Sequence, residues 1–340
     1  MKLLKKIFQL FMNSLNCKSC GSSNTLSRNY VDKFFDKTHL FNAHIVICCR
    51  DCGFGYSFPH LDEKVVYEFY KNVYRGVESP YYINFDQLIP QGKDRASAQL
   101  QLGFKYLTGK NKGNLKFLDI GPGDGSSFIA AKEKEIKNSY AIELSKDCSN
   151  AYERLFKVST VESIERIPKN LFFDIILSSH CFEHFYYEDL ILYLEKLKLL
   201  INKDGVLVVE VPNDDFRIMK NYSDSPHFCF FSMESLKKLF TYCGYEILFC
   251  DSCGHKIHEY DEITNKSYTL FSNLKTKSKN LISKSAFGRT VIEFLKSKLI
   301  YFKILPDPIS YLIDFNNKTY EYGGDRNCLR IVGKVKNNQI

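Results

Sequence analysis

The chain has no tryptophan, and nowhere in its 340 residues does an apolar run reach the ~18 positions that a membrane-spanning helix needs. Lys and Glu interrupt every apolar helix pattern, including the one from Ile191 to Ile201, so no transmembrane segment is expected. An export signal is missing too: Lys2, Lys5 and Lys6 precede an apolar patch that is too short, and residues 1–16 read as an amphipathic segment that packs on the body or touches a membrane surface peripherally. The expected location is therefore cytoplasmic, where the 12 cysteines stay reduced or bind metal rather than form disulfides. No internal repeat is visible. What is present is the balance of an ordinary folded protein, 44% hydrophobic and 25% charged, with 22 Tyr and 28 Phe supplying the aromatic content. The length suits one main domain with an accessory piece, because a single core stops growing at roughly 250–300 residues. A formal charge of +8 is compatible with acidic partners, but it speaks first to solubility and steering.

Four cysteines fall into two matched units, Cys17 and Cys20 followed by Gly21, and Cys49 and Cys52 followed by Gly53. Each pair can wrap a tight knuckle around one metal, and the glycine permits the turn that brings backbone amides toward the thiolates. With the strand-like stretch Ala43 to Cys48 between them, residues 17–58 read as a zinc ribbon with Cys17, Cys20, Cys49 and Cys52 as ligands of a structural zinc. Cys48 is a spare, and His39 and His44 read as surface or packing residues. Residues 59–93 form an aromatic-rich connector (Tyr67, Phe69, Tyr70, Tyr74, Tyr81), with Gly76 and Pro80 breaking regular structure, and read as a lid or linker.

From Asp94 onward helical and strand-like patterns alternate. A helix is expected over Asp94–Leu107, then strands at Lys116–Ile120, Tyr140–Glu143, near Phe156–Val158, Asp174–Ser178 and Val206–Val211, with helices between. A helix from Ser232 to Tyr242, a strand from Tyr245 and a final strand over Cys328–Val335 complete an α/β sheet too apolar to leave a face open to water. Between the last two strands, about 255–325, lies a basic insertion of helical pattern carrying Lys275, Lys277, Lys279, Lys284, Arg289, Lys296 and Lys298, read first as a solvated helix face. Cys250, Cys253, Gly254, His255 and His258 suggest a second metal site but lack a second cysteine pair, so they read as a strand end entering a loop.

The most informative segment runs from Leu118 through Asp119, Gly121 and Gly123 to Gly125, between an expected strand and an expected helix. Glycines at alternate positions allow a sharp turn and close approach of a ligand to the backbone. Ser126 stands where the dinucleotide fingerprint would place its third glycine, so a pyrophosphate loop fits less well. The run resembles the DxGxGxG motif of class I S-adenosylmethionine-dependent methyltransferases, over roughly residues 115–250. That resemblance implies a Rossmann-like seven-stranded sheet with helices on both faces over residues 94–340. It implies cofactor contacts at Asp119, Gly121, Gly123 and Gly125, and a ribose-binding carboxylate at Glu143, an acid that can accept two hydrogen bonds from a vicinal diol. Glu162 occupies the region that often meets the adenine. The segment Ser178-Ser179-His180-Cys181-Phe182-Glu183-His184 is similar to the strand-end signature of small-molecule methyltransferases, with His180 facing the cofactor and Glu183 and His184 either ordering the next helix or acting in catalysis.

The same segment lacks the Asn/Asp-Pro-Pro-aromatic box of amino-methylating nucleic-acid enzymes and the Pro-Cys of cytosine-C5 enzymes, so Cys181 reads as a packed thiol and nucleic acid is not the expected substrate. Methyl transfer from a sulfonium is an in-line displacement in which positioning dominates, and a hydroxyl or carbon acceptor also needs a base. His227, within Pro226–Ser232, is the candidate base, with His180 the second catalytic candidate. The whole arrangement resembles bacterial methyltransferases of sugars and surface polysaccharides, some with an N-terminal zinc domain, although the C-terminal third departs from them. The acceptor so implied is a small molecule, a sugar or nucleotide-linked sugar, methylated on O or C. A zinc-ribbon RNA methyltransferase and a non-catalytic cofactor-binding scaffold are the alternatives.

Overall fold

The computed structural model describes residues 15–31, 40, 44–77, 79, 81–86, 92–107, 112–218, 226–257 and 321–336. His39, His258 and nearly all of the basic insertion lie outside them, as does most of the N-terminal segment.

Seven strands form the central sheet: β4 (Lys116–Ile120), β5 (Asn138–Ile142), β6 (Ser159–Val161), β7 (Phe173–Ser179), β8 (Ile201–Pro212), β10 (Tyr245–Lys256) and β11 (Arg326–Val335). Their spatial order is β10-β11-β8-β7-β4-β5-β6. All neighbours pair in parallel except β11, which runs antiparallel to both β8 and β10. The chain fills one half of the sheet outward from β4, then crosses over to β7 and fills the other. The order therefore reverses between β4 and β7, where open α/β sheets form a crevice beyond the carboxyl ends of their strands.

Residues alternate between two buried faces along each strand. Phe117, Ile175, Leu177, Val206 and Val208 pack with Leu100, Phe128, Ala131 and Tyr152 from helices α2 (Lys93–Lys105), α3 (Ser126–Glu133) and α4 (Lys146–Phe156). Leu118, Ile120, Ile176, Leu207 and Val209 pack the other way, against Leu190, Leu194 and Leu197 of α5 (Tyr187–Lys198) and Leu236 and Leu239 of α6 (Met233–Tyr242). Burial on both faces is why these strands read as continuous apolar runs. Among the described residues no helix is long and apolar enough to cross a membrane.

The cysteine-rich region builds a second, four-stranded antiparallel sheet from β1 (Thr25–Asn29), β2 (Ile45–Cys49), β3 (Gly55–Phe58) and β9 (Cys229–Phe230). The fourth strand comes from the far side of the sequence, and Ile47, Phe54 and Tyr56 share a core with Phe182, Tyr187 and Phe231. His44 is buried against Tyr30, with ring centroids 5.7 Å apart. Cys48 is buried with Val46 and Phe230, on the opposite face of β2 from Cys49.

Three expectations are corrected. The connector, read as broken by Gly76 and Pro80, begins with a helix, α1 (Glu63–Glu68), capped by Asp62 and continued by a wider turn over Phe69–Val73. The third strand lies at 159–161 because Lys157, at φ 58°, ends α4 and turns the chain only there. The segment Cys250–His255 continues β10 to Lys256, with Gly254 at φ 88° within a register shift, rather than entering a loop. Cys253 packs there against Cys328.

Candidate active site

A cleft lies beyond the carboxyl ends of β4, β5 and β7, in two lobes. One, of 410 Å³, is lined by Glu143, Leu144, Ile164, Cys181, His184 and Phe185 among others. The second, of 300 Å³, is lined by Asp119, Gly123, Asp124, Arg95, Gln99 and neighbours. Tyr74, Arg75, Gly121 and His180 line both and mark where the lobes meet.

The glycine loop forms the floor. Gly121, Gly123 and Gly125 all have positive φ (66°, 61° and 74°), a conformation costing an L-residue with a Cβ roughly 1–2 kcal/mol. A Cβ on Gly125 would run into Phe156, so that glycine serves packing as well as the turn. Asp119 is buried, its Oδ1 has no hydrogen-bond partner among the described residues, and burial pushes its carboxyl up to about 7. A buried acid with one oxygen left without a hydrogen bond, facing a cleft lobe, is suited to meeting a cationic ligand group. Glu143, at the end of β5, accepts from Ser145 N at 2.8 Å and from the Tyr152 hydroxyl at 3.3 Å; Tyr152 also donates to Gly123 O at 2.6 Å, tying the acid to the loop. Burial raises Glu143. Glu162 stands exposed at the rim, hydrogen-bonded to Tyr67 and paired with Lys71 at 2.7 Å.

Arg75 went unnoticed in the sequence because nothing distinguishes one arginine in an aromatic connector. Its guanidinium donates to Tyr81 O at 2.9 Å, stacks on Tyr74 at 4.8 Å, and stands 3.5 Å from where a Cβ on Gly123 would be.

His180 ends β7 at φ 53°, a backbone state unusual for a residue bearing a Cβ. Its ring lies between two carboxylates, Nδ1 3.4 Å from Glu183 and Nε2 3.4 Å from Glu210. Burial alone would depress its pKa, but hydrogen bonding to Cys328, Glu183 and Glu210 prevails and holds it well above the usual imidazole range. Glu210 is buried and takes Arg330 at 2.5 Å and Gln99 at 2.9 Å; despite burial, Arg330 and His180 hold it well below the usual carboxylate range.

Glu183, His184 and His227 come together, one potential ligand atom of each within 4.8 Å of the others. Glu183 is buried, and its Oε1 meets His180 Nδ1 at 3.4 Å. His184 lies on the cleft wall, and its Nδ1 meets the Tyr70 hydroxyl at 3.0 Å and Pro226 O at 3.4 Å. Because Tyr70 donates to Pro226 O at 2.7 Å, Nδ1 of His184 carries the proton and Nε2 keeps its lone pair. Burial pushes His184 down to about 4. His227 packs edge-on against His184, centroids 5.0 Å apart, with Nδ1 3.8 Å from Asp214; it is not itself on the cleft wall. Burial lowers its pKa, but Asp214 and Glu183 outweigh this and raise it. A metal in this cluster would sit beside the positively charged His180, so the group reads as proton-handling. Cys181 is a cleft-wall thiol raised by burial and therefore protonated, as expected of a packed residue.

The four cysteines converge at the other end of β2. Sγ atoms of Cys17 and Cys52 are 3.6 Å apart, as are those of Cys20 and Cys49, and all four lie within 4.8 Å of one another. Gly21 N donates to Cys17 O at 2.8 Å and Gly53 N to Cys49 O at 3.0 Å, closing two equivalent knuckles with both glycines at positive φ. Four sulfurs so arranged have the donor set and closed shape of a structural zinc site.

Residues 93–248 match the family described as "Methyltransferase domain". The chain carries a methyltransferase domain. A chain with such a domain is an enzyme that transfers methyl groups. The matched segment holds the glycine loop, Glu143, His180, His184 and His227, and ends within β10. Among curated protein sequences none matches the chain. Solved structures that resemble it include an S-adenosylmethionine-dependent methyltransferase from Clostridium acetobutylicum (12% identity, 74% of this chain and 93% of that one, TM-score 0.42). Another from Archaeoglobus fulgidus shares 20% identity over 80% of this chain and all of that one (100%), with TM-score 0.39. The cyclopropane synthase MmaA2 from Mycobacterium tuberculosis shares 16% over 70% and 83%, with TM-score 0.43. These likenesses are too slight to carry chemistry across to the methyltransferase domain.

Proposed function

We propose that the methyltransferase domain transfers a methyl group from S-adenosylmethionine to an oxygen or carbon atom of a small sugar-like acceptor, a nucleotide-linked sugar or glycan precursor. In this reading Asp119, Gly121, Gly123 and Gly125 hold the methionine end of the donor, the Oδ1 of Asp119 meeting its ammonium. Glu143 accepts from the ribose hydroxyls, Glu162 closes the rim near the base, and Arg75 and His180 stand at the junction. A structural zinc held by Cys17, Cys20, Cys49 and Cys52 completes the chain.

The observation that carries the reading is the His184–His227 pair beside that junction. His184 lines the cleft with its Nε2 unprotonated, and His227, backed by Asp214 and Glu183, is the more basic partner. The pair can receive the proton that an acceptor hydroxyl, or a carbon next to a carbonyl, must lose as the new bond to the methyl carbon forms and the sulfonium departs as a neutral thioether. His180, positively charged between two carboxylates, is poorly suited to be that base and instead orders the junction. Tyr67, Tyr70 and Tyr74 of the connector line the cleft, and aromatic walls of this kind suit stacking against the apolar face of a sugar ring.

The test is transfer of labelled methyl to nucleotide sugars, cell-envelope glycans and RNA. The expected result is turnover with the sugar substrates, slowed about 10²-fold or more by His227→Ala at nearly unchanged donor affinity. Turnover on RNA alone, or an unaffected His227→Ala enzyme, would overturn it.

A further inference from the structure

The strap that carries His227 is held less by the methyltransferase sheet than by the cysteine-rich sheet. Residues 226–231 leave the main sheet after β8 and pass along β3, where Cys229–Phe230 form β9 in register with Gly55 and Tyr56. Ser57 N donates to Phe228 O at 2.9 Å, and the Tyr30 hydroxyl donates to the carbonyl of His227 itself at 2.8 Å. At the knuckle, the buried Ser232 hydroxyl donates to Cys52 O, and Arg217 Nη1 donates to Asp51 O at 2.6 Å. A Cβ on Gly53 would collide with Asp215, so the second knuckle and the loop after β8 are in direct apposition. From the main body the strap receives Phe228 N donating to Glu183 O at 2.8 Å, and it returns Pro226 O to Tyr70 and His184.

We propose that the four-cysteine module is a positioning device for the proton-handling histidines: metal held by Cys17, Cys20, Cys49 and Cys52 fixes β2 and β3, these fix the strap, and the strap sets His227 directly and His184 through Pro226 O. The device rests on the reading of those histidines given above. It explains why a metal ribbon, a module able to serve as an independent recognition unit, is here built with one strand borrowed from the catalytic half. Knuckle geometry depends on the metal because four clustered thiols left without it must find other partners. The module's share of that hold is a two-residue pairing and a few hydrogen bonds, while Phe228 N to Glu183 O and Asp214 N to Phe231 O tie the strap to the main body; losing the module's share lowers the cost of opening the strap locally. The glycine loop and Glu143, at the ends of β4 and β5, take no hydrogen bond from the module among the described residues, although the two share one core. Tyr30 is the positioning residue that isolates the effect, since removing its hydroxyl leaves every cysteine in place.

The test is amide hydrogen exchange on the full chain, read together with metal content and S-adenosylhomocysteine affinity, for the zinc-loaded protein, the same protein after chelation, and the variants Cys20→Ser and Tyr30→Phe. Zinc loss by either route is expected to speed exchange across 227–232 at least about tenfold, with β4 and β5 unchanged and affinity held within about twofold. Tyr30→Phe is expected to keep its zinc, speed exchange at 228–229 about fivefold and lower kcat without raising KM for the donor. Unchanged strap exchange after zinc loss overturns the device, as does uniform acceleration that includes β4 and β5. A Tyr30→Phe protein with native strap exchange also overturns it. These readouts need no acceptor, so failure of the sugar reading is registered separately, by the transfer assay.

Discussion

At the residue scale the site is governed by groups whose ionisation the fold has displaced. Asp119, raised by burial to about 7, is partly protonated in the free protein at neutral pH. Pairing with a donor ammonium favours its ionised form, so binding expels a proton and donor affinity should fall as pH drops from 8 to 6. Calorimetry of S-adenosylhomocysteine in buffers of different ionisation enthalpy measures that proton directly. His227 is raised chiefly by Asp214 and Glu183 against the opposing effect of burial. A base works only when unprotonated, so the acid limb of kcat/KM should lie above pH 6.5 and move to lower pH in Asp214→Asn, where the group holding the proton on is gone. Gly123→Val should abolish donor binding, since φ 61° disfavours any β-branched residue and the added methyls would enter the space beneath Arg75. The glycines and Glu143 were legible in the sequence because their spacing fixes their place at strand ends. Arg75 was not, because a connector's course over a cleft is decided by packing between distant segments. His184 was readable only as an ambiguity: local pattern shows it beginning a helix, and only the arrival of Pro226 and Tyr70 fixes its tautomer.

At the scale of elements, the sheet was legible because buried parallel strands announce themselves as apolar runs between amphipathic helices. The pairing of β8 with β11 was harder, since 113 positions separate Asn213 from Arg326 and an insertion intervenes. The partnership is sealed by charge: Arg330 on β11 meets Glu210 on β8, both buried, at the same level where His180 leaves β7. Arg330→Met leaves Glu210 with a weakened set of partners in the interior and should destabilise the fold by about 3–5 kcal/mol in urea titration. A neutral result would mean that His180, Gln99 and Arg95 suffice to hold that carboxylate. The connector shows the opposite limit of pattern reading. Its aromatic spacing was visible, but the wide turn at Phe69–Val73 exists to bring Tyr70 and Tyr74 to His184, with centroids 5.2 and 5.5 Å away, and no local preference dictates it.

At the scale of the whole molecule, two units that look separable in sequence are interleaved: the cysteine-rich sheet takes its fourth strand from the segment before α6, and its core runs into that of the main sheet. The cysteine pairs could be read from spacing alone, but their attachment to the catalytic half could not, because β9 is two residues long and carries no pattern of its own. Everything proposed for the acceptor side presupposes that the cleft between β4 and β7 is the donor's site and that Glu143 grips its ribose. That claim is tested most directly by titrating S-adenosylhomocysteine into the wild-type chain and into Glu143→Ala by calorimetry. The account predicts one site per chain, weakened roughly 10²-fold or more by loss of the two charge-assisted hydrogen bonds. Equal affinity in the two proteins, or no binding to the wild type, would contradict it.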